Sequence, residues 1–313
     1  MTDSEIRHTL GEKAARQLAN TTKTAAQWSG ITPRWLVSFL PWIPVEAGTY
    51  RVNRVADRQD SGRNDVECSP GDAEDLPETF VDYDENPREY TLNAVTTVLD
   101  VQTRVSDLYN QPHDQIREQL RLLIEKVKER QENELVNNPA YGLLTNAAPS
   151  QRISTLKGPP TPHDLDELIS RVWKEPAFFL AHPRAIAAFG RECTKRGVPP
   201  PTVNLFGSPF LTWRGLPLVP CDKLHVTPQD GSPRGGKTNI LLLRTGEKKQ
   251  GVIGLFQPGV PGEVAPSLSV RFMGISRKAI ASYLISLYCS AAVLTEDALA
   301  VLENVEVGNY DDR

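Results

Sequence analysis

The sequence is poor in cysteine: four in 313 residues, Cys68, Cys193, Cys221 and Cys289, with no C-x-x-C spacing. So scattered, they frame neither a zinc site nor a disulfide scaffold, and a reducing compartment is expected. Long apolar runs are missing too. The longest are WLVSFLPWIPV, broken by Pro41 and Pro44, and ASYLISLYCSAAVL, both short of the roughly 18 residues a membrane helix needs. The first has no basic face of the kind interfacial helices use. The N-terminus, MTDSEIRHTLGEKAARQ, lacks the apolar core of a signal peptide, so a cytoplasmic location is expected. Neither sign of charge dominates: 35 Lys and Arg against 39 Asp and Glu leave a net charge of -4. No global field draws nucleic acid or an anionic membrane, and neither is expected as a partner.

Catalytic and metal-binding patterns are equally scarce. The five histidines, His8, His113, His163, His182 and His225, never fall at ligand spacing, and H-E-x-x-H and G-x-S-x-G are absent. His182, before Pro183, reads as a helix-start residue. Asp82 to Asn86 opens like a calcium loop, but Pro87 stands where Gly is required and Asn93 where a bidentate Glu is required. Catalytic residues, cofactors and metals are therefore not expected.

What is present is a complete textual match to a phosphate-binding loop: Gly231 to Thr238 reads GSPRGGKT, or G-x-x-x-x-G-K-[ST]. A working loop of this kind follows a buried strand and opens a helix, whose first N–H groups hold the phosphates. Here Thr238 leads into NILLLRTG, a short apolar run that predicts a strand, and Pro233 removes a backbone donor. The stretch reads as a connection between strands. A P-loop nucleotide hydrolase is the rival reading, and it needs a helix after Lys237.

Along the chain, the segment to Glu46 is sticky and broken by proline. Trp28, Trp35, Leu36, Phe39, Leu40 and Trp42 cannot make a core of their own there. An apolar arm of this kind suggests contact with another subunit; an extension packed on its own domain is the other reading. A strand at TYRVNRV and another around TFVDYDENPREYTLNAV predict a long two-stranded excursion. Between Ala56 and Tyr90 it carries twelve acidic residues against three basic, which reads as a solvated loop or as an acidic hairpin lying on a neighbour's basic surface. A long helix is predicted from about Gln111, with Ile116, Leu120, Leu123, Ile124 and Val127 as one buried stripe and Arg121, Glu125 and Lys128 able to pair on the exposed side.

After the KGPPTP break come a helix with Thr161 as cap and Pro162 in its first turn, a buried strand at AFFLAHP, and a helix stopped by Gly197. VPPPTV reads as a stiff loop. Strands are predicted at FLTWRG, LPLVP, TNILLLRTG and QGVIGLFQPG and through most of the chain after Gly262, with a short late helix at DALAVLE. The fold class is α+β with mostly antiparallel strands.

The phrases LPWIPVEAGTYRVNRV, LPETFVDYDENPREY, VWKEPAFFLAHPRAIAAFGRECTKRGVPP and LSVRFMGISRKAIASYLISLYCSAAVLTEDALAVLENVEV resemble the shell proteins of family 2A encapsulins, once labelled major membrane proteins in mycobacteria. The resemblance covers nearly the whole chain. It implies the tailed-phage major capsid fold of the Hong Kong phage type: an N-terminal arm over 1–46, an E-loop over 47–95, a P-domain with a spine helix over 96–160, an A-domain over 161–262 and P-domain return strands over 263–313. It further implies a non-enzymatic shell of sixty identical copies enclosing a cargo, usually a cysteine desulfurase loaded through a disordered N-terminal extension, with a role in sulfur metabolism or storage. The six apolar residues of the arm would then be subunit contacts. By the layout of that fold, Lys195, Arg196, Pro199, Pro200, Pro201 and Thr202 would line a pore, although the two cations equally suit a helix C-terminus. The older label leaves a peripheral membrane-associated protein as a further alternative.

Overall fold

A computed structural model describes residues 11, 13–14, 30–53, 85–102, 115–228 and 235–308. Two large sheets and one small one organise them. The first has the order β1 (Trp42–Pro44), β12 (Val252–Phe256), β15 (Ile280–Val293), β14 (Leu268–Ile275) and β13 (Glu263–Ala265), with β4 (Asn93–Gln102) also on β15. The second has the order β5 (Arg152–Ser154), β16 (Leu299–Glu306), β11 (Gly236–Leu243), β6 (Phe178–Ala181), β9 (Leu216–Pro220), β8 (Ser208–Trp213) and β7 (Thr202–Leu205), with β10 (Thr227–Pro228) on β11. At the base of the predicted excursion, β2 (Thr49–Val52) pairs antiparallel with β3 (Arg88–Thr91), Tyr50 opposite Tyr90; the acidic stretch between them lies outside the described residues.

The centre of the second sheet, β6 with most of β9, β11 and β16, is buried on both faces, and these strands are accordingly rich in continuous apolar residues. On β11, Leu241 and Leu243 enter one core while Ile240 and Leu242 enter the other; β6 divides the same way, Phe178 and Leu180 against Phe179 and Ala181. One face carries α4 (Pro162–Arg171) and α5 (Pro183–Lys195), through Leu165, Leu168, Ala185 and Phe189. Both helices start as the sequence predicts. Thr161 accepts from the Asp164 N–H at 3.3 Å and Asp164 accepts from the Thr161 N–H at 2.8 Å, a reciprocal cap. His182 Nδ1 accepts from the Arg184 N–H at 3.1 Å, and Gly197, at φ 71°, ends α5.

The late helix expected at DALAVLE is corrected. Only Glu296–Ala298 form a 3-10 turn, and Leu299 onward is β16, paired with β11 and β5. A short apolar run has the same pattern in a buried strand and a buried helix, and here the open slot between two strands decides. Strands also cross the expected divisions of the chain: β16 and β5 join the sheet of β11 and β6, while β12 joins that of β15.

The long helix α2 (Gln115–Asn137) lies over the first sheet. Val127 is buried with Leu120, Leu123 and Ile124 beside it, against Val95, Leu268, Ile285 and Leu287: four residues of the stripe its spacing predicts, with Ile116 outside this cluster. A short α3 (Leu143–Asn146) follows, and α1 (Trp35–Phe39) closes the N-terminal side.

Candidate assembly surfaces

The surfaces begin with the way the N-terminal segment is held. Glu125, Glu129 and Glu132 fall at i, i+4 and i+7 on α2, one stripe of the helix. Arg34 pairs with Glu125 at 2.8 Å and with Glu129 at 3.0 Å. Glu129 also accepts from the Thr32 N–H at 2.8 Å and the Thr32 hydroxyl at 2.9 Å, and it pairs with Lys223 at 2.9 Å. One turn on, Glu132 accepts from the Leu36 N–H at 3.0 Å. Burial raises Glu129, but Lys223 and Thr32 outweigh it and hold the carboxyl below its ordinary range. For Glu132 burial prevails and pushes it up to about 7. Three Glu on one stripe were visible in the sequence; the partner segment, about a hundred residues earlier, was not.

Aromatic rings seat the other side of α1. Phe39 meets Phe178, Phe206 and Phe210 at 5.1, 5.2 and 5.8 Å between centroids, and Trp35 meets Phe210 edge-on at 5.1 Å. Phe206 is 65% exposed and has φ 51°, at the tip of the β7–β8 hairpin, where Gly207 completes the turn.

That hairpin follows the exposed segment from Lys195 to Pro201. Lys195 is the last residue of α5 and Arg196 its C-cap. Glu192 pairs with Lys195 at 3.6 Å and with Arg196 at 2.5 Å, which offsets part of their charge. Pro199 and Pro201 are exposed and Pro200 half-buried. Thr202 and Val203, expected in the loop, instead begin β7.

A third surface is a ribbon of β4, β15 and β14 that runs past its neighbours in the first sheet. β14 pairs with β13 only at its start, and β4 pairs with β15 alone among the described strands. Phe272, Met273 and Ile275 on β14 and Val98 on β4 are exposed, between 50% and 67%. Arg271 and the tip residues Arg277 and Lys278 are exposed beside them. Apolar side chains grouped along open strand edges mark a surface that another protein covers.

The P-loop reading fails on geometry. Lys237 and Thr238 lie inside strand β11, with Lys237 opposite Glu306 and Thr238 opposite Val305. Among the described residues no helix N-terminus stands behind them, and the helix that reading needs after Lys237 is a strand. Gly231 to Arg234 lie outside the described residues. No helix of the described residues is long and apolar enough to cross a membrane.

A sheet buried on both faces at its centre, a spine helix over the other sheet, and a ribbon with exposed apolar side chains at its far end fit a subunit, and comparison with known proteins agrees. Residues 51–309 match the family described as type 2A encapsulin shell protein SrpI-like. The chain belongs to the type 2A encapsulin shell proteins. The SrpI shell protein of Synechococcus elongatus is 65% identical over 310 residues, 99% of this chain and 98% of its own length. A type 2A encapsulin shell protein of Mycolicibacterium paratuberculosis is 60% identical over 97% of this chain and 96% of its own. The solved holo-SrpI encapsulin complex from S. elongatus superposes with a TM-score of 0.81 at 63% identity, covering 97% of this chain and 99% of that one. The capsid of a native GTA particle shares the fold alone, at TM-score 0.58 and 14% identity over 97% of this chain and 96% of that one. This is an encapsulin shell protein of α+β capsid fold, and its family is structural rather than enzymatic.

In this shell protein the sticky arm is not a free arm from residue 35 onward. Leu36 and Leu40 are 0% and 3% exposed within the single chain, in one core with Leu135, Phe178 and Val219. They have no surface left for a neighbour, which corrects their expected role. Trp35, Phe39 and Trp42 are half-buried against that core, and Trp42 donates its indole N–H to the Val37 carbonyl at 2.9 Å. Trp28 lies outside the described residues. Among the described residues the cysteines Cys193, Cys221 and Cys289 are buried and free of disulfides, and burial pushes their thiols up to about 11, 12 and 12. They are poor nucleophiles and poor metal ligands.

Proposed function

We propose that this chain assembles in the cytoplasm into a closed icosahedral nanocompartment of sixty copies, that it encloses a protein cargo, and that the cargo is a cysteine desulfurase acting in sulfur metabolism or storage. The observation that carries the reading is near full-length similarity to SrpI, 65% identical over 99% of this chain, whose solved assembly is described as a holo encapsulin complex. Identical subunits with unlike contacting faces close by rotation into a finite shell. The ribbon at Phe272, Met273 and Ile275 is one such face. Its basic residues Arg271, Arg277 and Lys278 complement the acidic stretch from Ala56 to Tyr90, with twelve acids against three bases, of a neighbouring copy. Trp28, with the outward edges of Trp35, Phe39 and Trp42, forms a second contact. Lys195, Arg196, Pro199, Pro200, Pro201 and Thr202 line the passage where subunits meet, and Glu192 leaves that rim only weakly cationic.

Co-expression tests the cargo. A cysteine desulfurase carrying a disordered N-terminal extension is produced with this chain and the particle fraction is isolated by size. Desulfurase activity is expected in the particle fraction with the extension and outside it when the extension is removed. Activity that elutes apart from the particles in both cases would refute the cargo assignment.

A further inference from the structure

Glu132 is a buried titratable group that none of the proposed assembly contacts uses. It is 1% exposed, and its carboxyl oxygen Oε1 accepts from the Leu36 N–H, the backbone of α1. The cations nearby are already engaged. Lys223 pairs with Glu129 at 2.9 Å and with Asp222 at 2.6 Å, and Arg34 pairs with Glu125 and Glu129. From its own helix Glu132 feels Glu129; from the segment after β9 it feels Asp222, Lys223 and the Cys221 thiol. Cys221, pushed up to about 12, stays neutral near pH 7. A further anion in this pocket has no cation of its own, and burial disfavours its charged form.

We propose that Glu132 is a proton-operated latch on the N-terminal segment: neutral, it holds α1 against α2, and ionised, it loosens α1. The neutral carboxyl still accepts from the Leu36 N–H through its carbonyl oxygen, so protonation keeps the contact while removing the buried charge. With an ordinary value of 4.5 raised to about 7 in the docked form, the docked form binds the extra proton. Its advantage is whole below about pH 4.5, declines as pH rises through 7, and is flat above. The latch reaches beyond α1. Phe39 and Trp35 rest on Phe206 at the tip of the β7–β8 hairpin, and that hairpin is continuous with the segment from Lys195 to Pro201.

Hydrogen exchange of the assembled full-length protein tests the latch, read on a peptide spanning residues 31–41 and corrected for the chemical pH dependence of exchange. Between pH 6 and 8.5 the opening constant of that peptide is expected to rise roughly tenfold. In Glu132→Gln, which keeps a neutral acceptor for the Leu36 N–H, the rise is expected to vanish. Asp222→Asn, at an exposed position, removes an anion that raises Glu132 and is expected to move the midpoint to lower pH. A flat pH response in the unsubstituted protein, the same rise in Glu132→Gln, or an unmoved midpoint in Asp222→Asn would overturn the proposal.

Discussion

Arg244, at the end of β11, shows how one residue pair fixes a junction. It is 2% exposed, and its guanidinium donates to both carboxylate oxygens of Asp297 at 2.8 and 3.1 Å and to the Thr295 hydroxyl at 2.7 Å. Lys174 also reaches Asp297 at 2.9 Å. Asp297→Asn leaves a buried cation without its anion and is expected to cost about 3 kcal/mol. The Arg244 hydrogen bonds hold the Asp297 carboxyl well below its ordinary 3.8. Its contribution is therefore present above about pH 3.8 and lost as pH falls below that value. Thermal unfolding of the two proteins across pH 3 to 7 checks both points: the gap should be full at neutral pH and narrow in acid, and a constant gap would contradict the pairing. Arg244 and Asp297 are 53 residues apart, so no local spacing announces them. His182 was legible because its helix start lies beside it in sequence.

Elements were legible where a local signal marks their ends. Thr161 with Asp164, Pro162, and Gly197 bound α4 and α5, and the apolar run from Asn239 to Leu243 is the strand it predicts. A strand buried on both faces loses its alternation, so the apolar run from Leu299 onward has the pattern of a buried helix as much as of a strand. In the arm, composition shows that Leu36 and Leu40 must be covered, not which chain covers them. Its strand β1 runs parallel to β12, with Trp42 opposite Gly254. A Cβ at Gly254 would lie 2.7 Å from the Trp42 ring, closer than packed atoms tolerate. Gly254→Ala is expected to displace Trp42 and cost about 1–3 kcal/mol, seen as a lower unfolding temperature with altered tryptophan fluorescence. Unchanged stability would mean that Trp42 does not hold β1 in place.

At the scale of the whole molecule, the sequence phrases that resemble encapsulin shells run through both sheets, and the fold agrees along the described chain. The candidate contact surfaces were less legible. The ribbon at Phe272, Met273 and Ile275 reads in sequence as an ordinary strand, and its exposure follows from β13 stopping short beside it. Removal of Met1 to Glu46 would take Leu36, Leu40 and β1 out of the core, so loss of shells in that deletion would report unfolding as much as assembly. The central claim is closure into a shell, and the mass of the purified particle tests it most directly. Sixty chains of 34.7 kDa predict a single species of about 2.1 MDa by sedimentation or native mass measurement. A stable species of one or a few chains at the same protein concentration would contradict the account.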